Sequence, residues 1–149
     1  MTKFYSKPIT DLFSIDVDHL VRESICEGFR FLQKLVNDYR NGINRFNKYG
    51  ESLYGLFTKE GVLIAIGGLN KDPYSNDPEI GRLRRFYVSK AYRRKGLGKL
   101  LLGKIISDAR KYYKILVLNT ETEQADRFYT SLGFSKETTF PKSTHFLKL

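Results

Sequence analysis

The segment from Val88 to Leu102, VSKAYRRKGLGKLLL, constrains this chain more than any other, because it makes a strand, a glycine loop and a helix follow one another. Upstream, the run from Leu83 to Val88 mixes apolar and basic residues in the way of a central strand with one polar end. Downstream, Leu97, Leu100, Leu101, Ile105, Ile106 and Ala109 recur at helical spacing until about Tyr112. Gly96 and Gly98 stand at the helix entrance. A helix start leaves backbone N–H groups unpaired and carries partial positive charge, and glycine lets an anion approach them without a Cβ in the way. The segment therefore reads as an anion cradle, although two glycines taken alone would equally start a helix after a turn. A P-loop needs Lys and then Ser or Thr after its second Gly, and the dinucleotide fingerprint needs three glycines in another rhythm, so neither nucleotide motif is present.

The flanking sequence completes an α/β pattern. From Asp16 to Tyr39, the residues Val17, Leu20, Val21, Ile25, Phe29, Leu32, Leu35, Val36 and Tyr39 fall at steps of three and four, as in an amphipathic helix. Asp16 is placed to cap its start, Asn41-Gly42 to stop it, and Gly28 to divide it in two. A short strand is expected near Phe4. Ser52–Phe57 and Val62–Leu69 read as strands joined through Lys59-Glu60-Gly61, a hairpin turn whose Gly takes positive φ. Ile115–Leu118 is a short apolar strand. A helix over Gln124–Leu132, a stop at Gly133 and strands around Phe134–Thr138 and Thr144–Leu149 follow. No repeat, low-complexity tract or linker interrupts the chain, so residues 1–149 are expected to form a single domain.

Composition narrows the function classes. A chain of 149 residues that is 41% hydrophobic supports one buried core and no second one. No stretch approaches the roughly 20 apolar residues that span a bilayer, and MTKFYSKPITDLF lacks the apolar run of a secretory signal, so a cytoplasmic, membrane-free protein is expected. The lone Cys26 reads as a small buried hydrophobe on the apolar side of its helix, and His19 and His145 alone cannot assemble a metal site; neither disulfide nor metal is expected. His145 reads as structural. The net charge of +10 favours anionic partners. Arg82, Arg84, Arg85, Lys90, Arg93, Arg94, Lys95 and Lys99 crowd the middle of the chain, which keeps a nucleic-acid-binding module in play. Against it, this cluster coincides with the glycine loop instead of spreading along a helix face.

Arg93, Gly96 and Gly98 match the R/Q-x-x-G-x-G pattern of the GNAT acyltransferase superfamily, with the strand LRRFYV just upstream. Independently, ADRFYTSLGF resembles the late helix of the same family through Ala125, Tyr129, Gly133 and Phe134. The resemblance is clear from Ser52 to Phe134, and it implies a mixed, mostly antiparallel central sheet flanked by helices. It also implies an N-acetyltransferase that moves an acetyl group from acetyl-CoA to a primary amine of a small molecule or peptide.

By position, the resemblance assigns the pantetheine arm to the strand backbone of Phe86, Tyr87 and Val88. It assigns the pyrophosphate to the N–H groups of Arg94, Lys95, Gly96, Leu97, Gly98 and Lys99, with added charge from Arg93 and Arg94. Further cofactor contacts fall on Asn119, Ala125, Phe128 and Tyr129. Tyr129 matches the family's acid, and the N–H of Val88 is the candidate for the oxyanion. The family often carries a Glu about six residues before this Val, but Arg82 stands there. Glu79 and Glu121 are the nearest substitutes, beside a water chain or an amine of low pKa. The Arg82 substitution also leaves open a non-catalytic sensor of coenzyme A. The acceptor site is expected from the early helices and the adjoining loop, where Phe29, Phe31, Tyr39, Phe46, Tyr49 and Tyr54 are candidates, although core packing accounts for most of them. A homodimer is common for the family; acceptor and oligomeric state stay open.

Overall fold

A computed structural model describes residues 3–149. Its centre is a seven-stranded sheet in the order β1-β2-β3-β4-β5-β7-β6, with strands β1 (Phe4–Pro8), β2 (Ser52–Thr58), β3 (Leu63–Lys71), β4 (Ile80–Val88), β5 (Ile115–Leu118), β6 (Ser135–Lys136) and β7 (His145–Lys148). Every neighbouring pair is antiparallel except β4 with β5. That parallel step requires a crossover, and helix α3 (Leu97–Ala109) supplies it. The sheet is the mixed, mostly antiparallel one that the sequence led us to expect.

Helices cover both faces. On one face α3 and α4 (Glu123–Ser131) bury Leu101, Leu102, Ile105, Tyr129 and Phe134 against Leu56, Leu69, Leu83 and Leu116. On the other, α1 (Asp18–Cys26) and α2 (Phe31–Asn41) bury Leu20, Val21, Leu32, Leu35 and Tyr39 against Leu53, Phe57, Ile66 and Tyr87. Alternation along β2 and β3 feeds both layers, which is why these two strands read as nearly continuous apolar runs.

Several boundaries differ from the sequence reading. The long early helix is broken at Gly28, at φ +90°, and ends at Gly42, at φ +76°. Its first half begins at Asp18 with Val17 at the N-cap position, so Asp16 does not cap it in the expected sense; the Asp16 carboxylate instead accepts from the Asp18 N–H at 3.2 Å. Cys26 is exposed, not buried. The short α1 turns Leu20, Val21 and Ser24 to the core, and its last residue lies off that stripe. β4 starts three residues before the expected Leu83, and β6 is only two residues long, because Phe134 leaves the strand to enter the core.

Candidate active site

The site begins with a defect in β4. Its register with β3 pairs Ile66 with Tyr87 and Gly68 with Arg84, so Arg85 and Phe86 together oppose Gly67. Arg85 takes φ +58°, the left-handed turn that such a bulge demands. The bulge resets the alternation: Leu83, Phe86 and Val88 face α3, whereas Tyr87 faces α1 and α2. On its other side, β4 pairs with β5 only from Ile80–Ile115 to Arg82–Val117. From Leu83 onward the two parallel strands part, and one edge of β4 is left without a strand beside it.

That open edge leads straight into the glycine loop. Among the described residues, none of the six backbone N–H groups from Arg94 to Lys99 donates to a protein acceptor. Arg94 at φ +63° and Gly96 at φ +76° both take left-handed turns after the extended Arg93, and such turns bring successive N–H groups together into an anion-binding concavity. Gly96 is exposed, and its left-handed conformation is the reason for glycine there. Gly98 has a different reason: a Cβ on it would lie 3.2 Å from the Phe128 ring and 3.3 Å from Val88, so its absence lets α3 start against those side chains. Leu97 is buried and anchors the first turn.

Tyr129 closes the far wall. Its ring lies 6.2 Å from Phe86, 5.1 Å from Phe128 and 5.5 Å from Phe134, and Phe86 stacks on Phe128 at 5.9 Å. Thr122 caps α4 by accepting from the Ala125 N–H, which fixes the turn that carries Phe128 and Tyr129. The Tyr129 hydroxyl bonds to no described protein group, and burial pushes its pKa up, so it is a neutral phenol at physiological pH.

An open parallel strand pair, a bare amide cradle and a buried tyrosine thus lie side by side, joined by the packing of Val88, Gly98, Phe128 and Tyr129. A model of the Acetyltransferase (GNAT) family matches residues 19–134. The chain belongs to this family. A crystal structure from Exiguobacterium sp. 255-15, described as an acetyltransferase, is 31% identical; the match covers 99% of this chain and 94% of that one, with a TM-score of 0.87. At 19% identity and a TM-score of 0.67, a GNAT family acetyltransferase from Elizabethkingia anophelis, solved with acetyl-CoA bound, matches over 100% of both chains and shares the fold. The same holds at 18% identity for an acetyltransferase of GNAT family from Staphylococcus aureus Mu50, with 96% of both chains covered and a TM-score of 0.75. The family's acyl donor is acetyl-CoA.

Within this GNAT frame, some expected site residues gather and others do not. Phe86, Val88, Gly98, Ala125, Phe128 and Tyr129 pack together beside the open edge of β4, with Arg94, Lys95 and Lys99 exposed nearby and Asn119 exposed just after β5. The Tyr87 side chain lies on the opposite face, so only its backbone belongs to the open edge. Arg93 does not offer its charge to the cradle. Its guanidinium makes a bidentate pair with Glu27, the residue that caps the end of α1, at 2.6 and 2.9 Å, donates to the Val88 carbonyl at 2.9 Å, and stacks 5.3 Å over Tyr87. The hydrogen bonds with Glu27 hold the Arg93 pKa above its usual value, so the side chain clamps the loop to α1 instead.

Glu79 is exposed at the opposite end of β4, ion-paired with Lys114 at 3.4 Å, and the structure does not bring it to Tyr129. Glu121 is exposed in the loop before α4. Arg82, where the family often has Glu, is buried with each guanidinium nitrogen in a hydrogen bond: it donates to Asp72 at 2.8 Å and to the carbonyls of Lys142 and Pro141 at 2.9 Å each. Glu23 and Glu27 carry no motif that marks them in the sequence, yet both reach the base of the loop. Glu23 accepts from the Tyr87 hydroxyl at 2.6 Å, the Ser89 hydroxyl at 3.0 Å and the Lys90 N–H at 3.0 Å. Burial pulls the Glu23 pKa up, but these donors outweigh it and hold the carboxylate below its usual range. Two glutamates four apart on one helix were the available signal.

Proposed function

We propose that this GNAT protein transfers an acetyl group from acetyl-CoA to the nitrogen of an amine within a ternary complex. The observation that carries the reading is the run of unpaired amides from Arg94 to Lys99 beside the open edge of β4. The pyrophosphate would occupy the cradle, and the pantetheine arm would lie along Phe86, Tyr87 and Val88, bonding as a substitute strand. Arg82, Arg85 and Arg93 form ion pairs with Asp72, Asp38 and Glu27, so the central basic cluster offers less free charge to nucleic acid than the sequence suggests.

In the reaction the neutral amine nitrogen forms a bond to the thioester carbonyl carbon, the C–S bond breaks, and coenzyme A leaves as a thiol. The ammonium proton is lost overall. The Val88 N–H would stabilise the oxyanion, and the Tyr129 hydroxyl would donate a hydrogen bond to the departing sulfur. Because burial raises the Tyr129 pKa, full transfer of its proton to a thiolate is uphill; it serves as a donor more than as an acid. With no carboxylate at position 82, a lysine-like acceptor of pKa about 10.4 gives a rate that rises with pH as the free amine increases. Holding amine and carbonyl together supplies most of the acceleration.

Incubation of the chain with acetyl-CoA and an amine panel tests this. Amine-dependent release of thiol, with the N-acetylated product seen by mass spectrometry, supports transfer. Binding of acetyl-CoA with no transfer to any amine would leave the sensor reading in its place.

A further inference from the structure

The bulge in β4 has a second effect: it puts Arg84 and Arg85, adjacent in sequence, on the same face of the sheet. Arg84 pairs with Gly68, whose missing Cβ would point at Phe46 in the core beneath α1 and α2, and Arg85 reaches Asp38 of α2. Both stand immediately after Arg82–Val117, the last rung between β4 and β5, where the cleft opens. The cofactor loop lies beyond the far end of that edge, after Val88.

These two side chains differ from the other arginines of the region. Arg82 and Arg93 have their donors taken up by Asp72, Glu27 and three carbonyls. Arg84 makes no side-chain hydrogen bond or ion pair with any described residue, although it is half-buried. The Arg85 side chain is 11% exposed; among the described residues its one counter-charge is Asp38 at 3.7 Å, and its buried Nη2 has no hydrogen-bond partner. Two cations therefore face one loosely held carboxylate. Burial lowers the Arg85 pKa, and the neighbouring charge of Arg84 lowers it further, against the pull of Asp38 and Tyr74. Unsatisfied guanidinium donors in a partly dehydrated site are costly and are matched best by a carboxylate or phosphate, through charge-assisted and bidentate hydrogen bonds.

We propose that the acceptor amine carries an oxyanion, carboxylate or phosphate, held by Arg84 and Arg85 so that its amino group meets the thioester at the open edge of β4. The inference rests on the acetyl-transfer reading above and names the substrate class of that site. Cationic acceptors such as polyamines and lysine-rich tails would be repelled by the same pair.

The experiment uses amine pairs that differ only in the anion: amino acids against their carboxamides, and phosphoethanolamine against ethanolamine, with spermidine as the cation. Coenzyme A release is followed with the native chain, Arg84→Gln, Arg85→Gln and Arg85→Lys. The expected result is a preference of about tenfold or more in kcat/KM for at least one anionic member over its neutral twin. In Arg84→Gln and Arg85→Gln this preference falls towards one through a raised KM, while Arg85→Lys retains part of it. Which pair responds separates carboxylate from phosphate. Acetyl-CoA calorimetry on each variant shows that it is folded, and Arg84→Gln alone carries the test if Arg85→Gln does not fold. Equal use of twins, preference for spermidine, a preference unchanged in both variants, or no turnover of any anionic amine by a chain that binds acetyl-CoA would each overturn the proposal. Failure of the native chain to bind acetyl-CoA would instead overturn the acetyl-transfer reading, and this inference with it.

Discussion

The two ends of the β4 edge offer different parts of the chain to the ligands proposed for them. The cradle from Arg94 to Lys99 presents backbone amides, so its chemistry depends on left-handed turns at Arg94 and Gly96 and hardly on which side chains surround them. The face around Arg82, Arg84 and Arg85 presents side chains, and each of its contacts reaches a distant segment: Asp72, Asp38 of α2, and the loop at Pro141 and Lys142. A backbone site tolerates change around it as long as the turn survives. A side-chain site fails or changes specificity one residue at a time.

Arg82→Glu makes the sharpest attack on this contrast, because it installs the residue the family often has. If the acceptor face only lacked a base, the variant would gain activity. Here it would instead place a carboxylate against buried Asp72 and strip two hydrogen bonds from the Pro141–Lys142 loop, costing about 3–5 kcal/mol in urea unfolding. Higher turnover with unchanged stability would break the comparison.

Glu27→Gln tests the clamp behind the cradle. The Arg93 hydrogen bonds, against opposing burial, hold the Glu27 pKa below its ordinary 4.5. A carboxylate with a depressed folded pKa contributes stability that is present above its unfolded pKa and lost as pH falls through the folded one. The variant is therefore expected to lose about 2 kcal/mol at neutral pH, with the loss shrinking in acid, and to bind acetyl-CoA about fivefold more weakly because the loop is less well held. Denaturant melts at pH 7 and at low pH, with calorimetry, read both. A loss of stability that does not shrink in acid would assign the effect to packing and not to charge.

Tyr129→Phe has the smallest expected effect. Since its hydroxyl bonds to no described protein group, stability and acetyl-CoA affinity should hold while kcat drops about tenfold. An unchanged kcat would remove Tyr129 from the reaction.

What the sequence disclosed follows the same division. The cradle was legible because Gly96 and Gly98 are local requirements two residues apart, and the hairpin turn at Gly61, with φ +87°, and the break at Gly28 were legible for the same reason. The pairing of Arg93 with Glu27 was not legible, because Glu27 lies 66 residues earlier and meets it only through the packing of α1 on the sheet. The burial of Arg82 depends on residues 59 and 60 positions later. The bulge left a trace that was not used: Leu83 and Phe86, three apart in a strand, belong to one core face only if a residue is inserted between them. Exposure of Cys26 followed from where α1 stops, which periodicity places poorly.

The most direct measurement is calorimetric titration of acetyl-CoA into the native chain and into Gly96→Asp, whose side chain and charge would enter the cradle. Micromolar binding to the native chain, weakened about 100-fold or more in a variant that stays folded, is the result this account expects. Equal affinity in the two chains, or no binding to the native one, would contradict it.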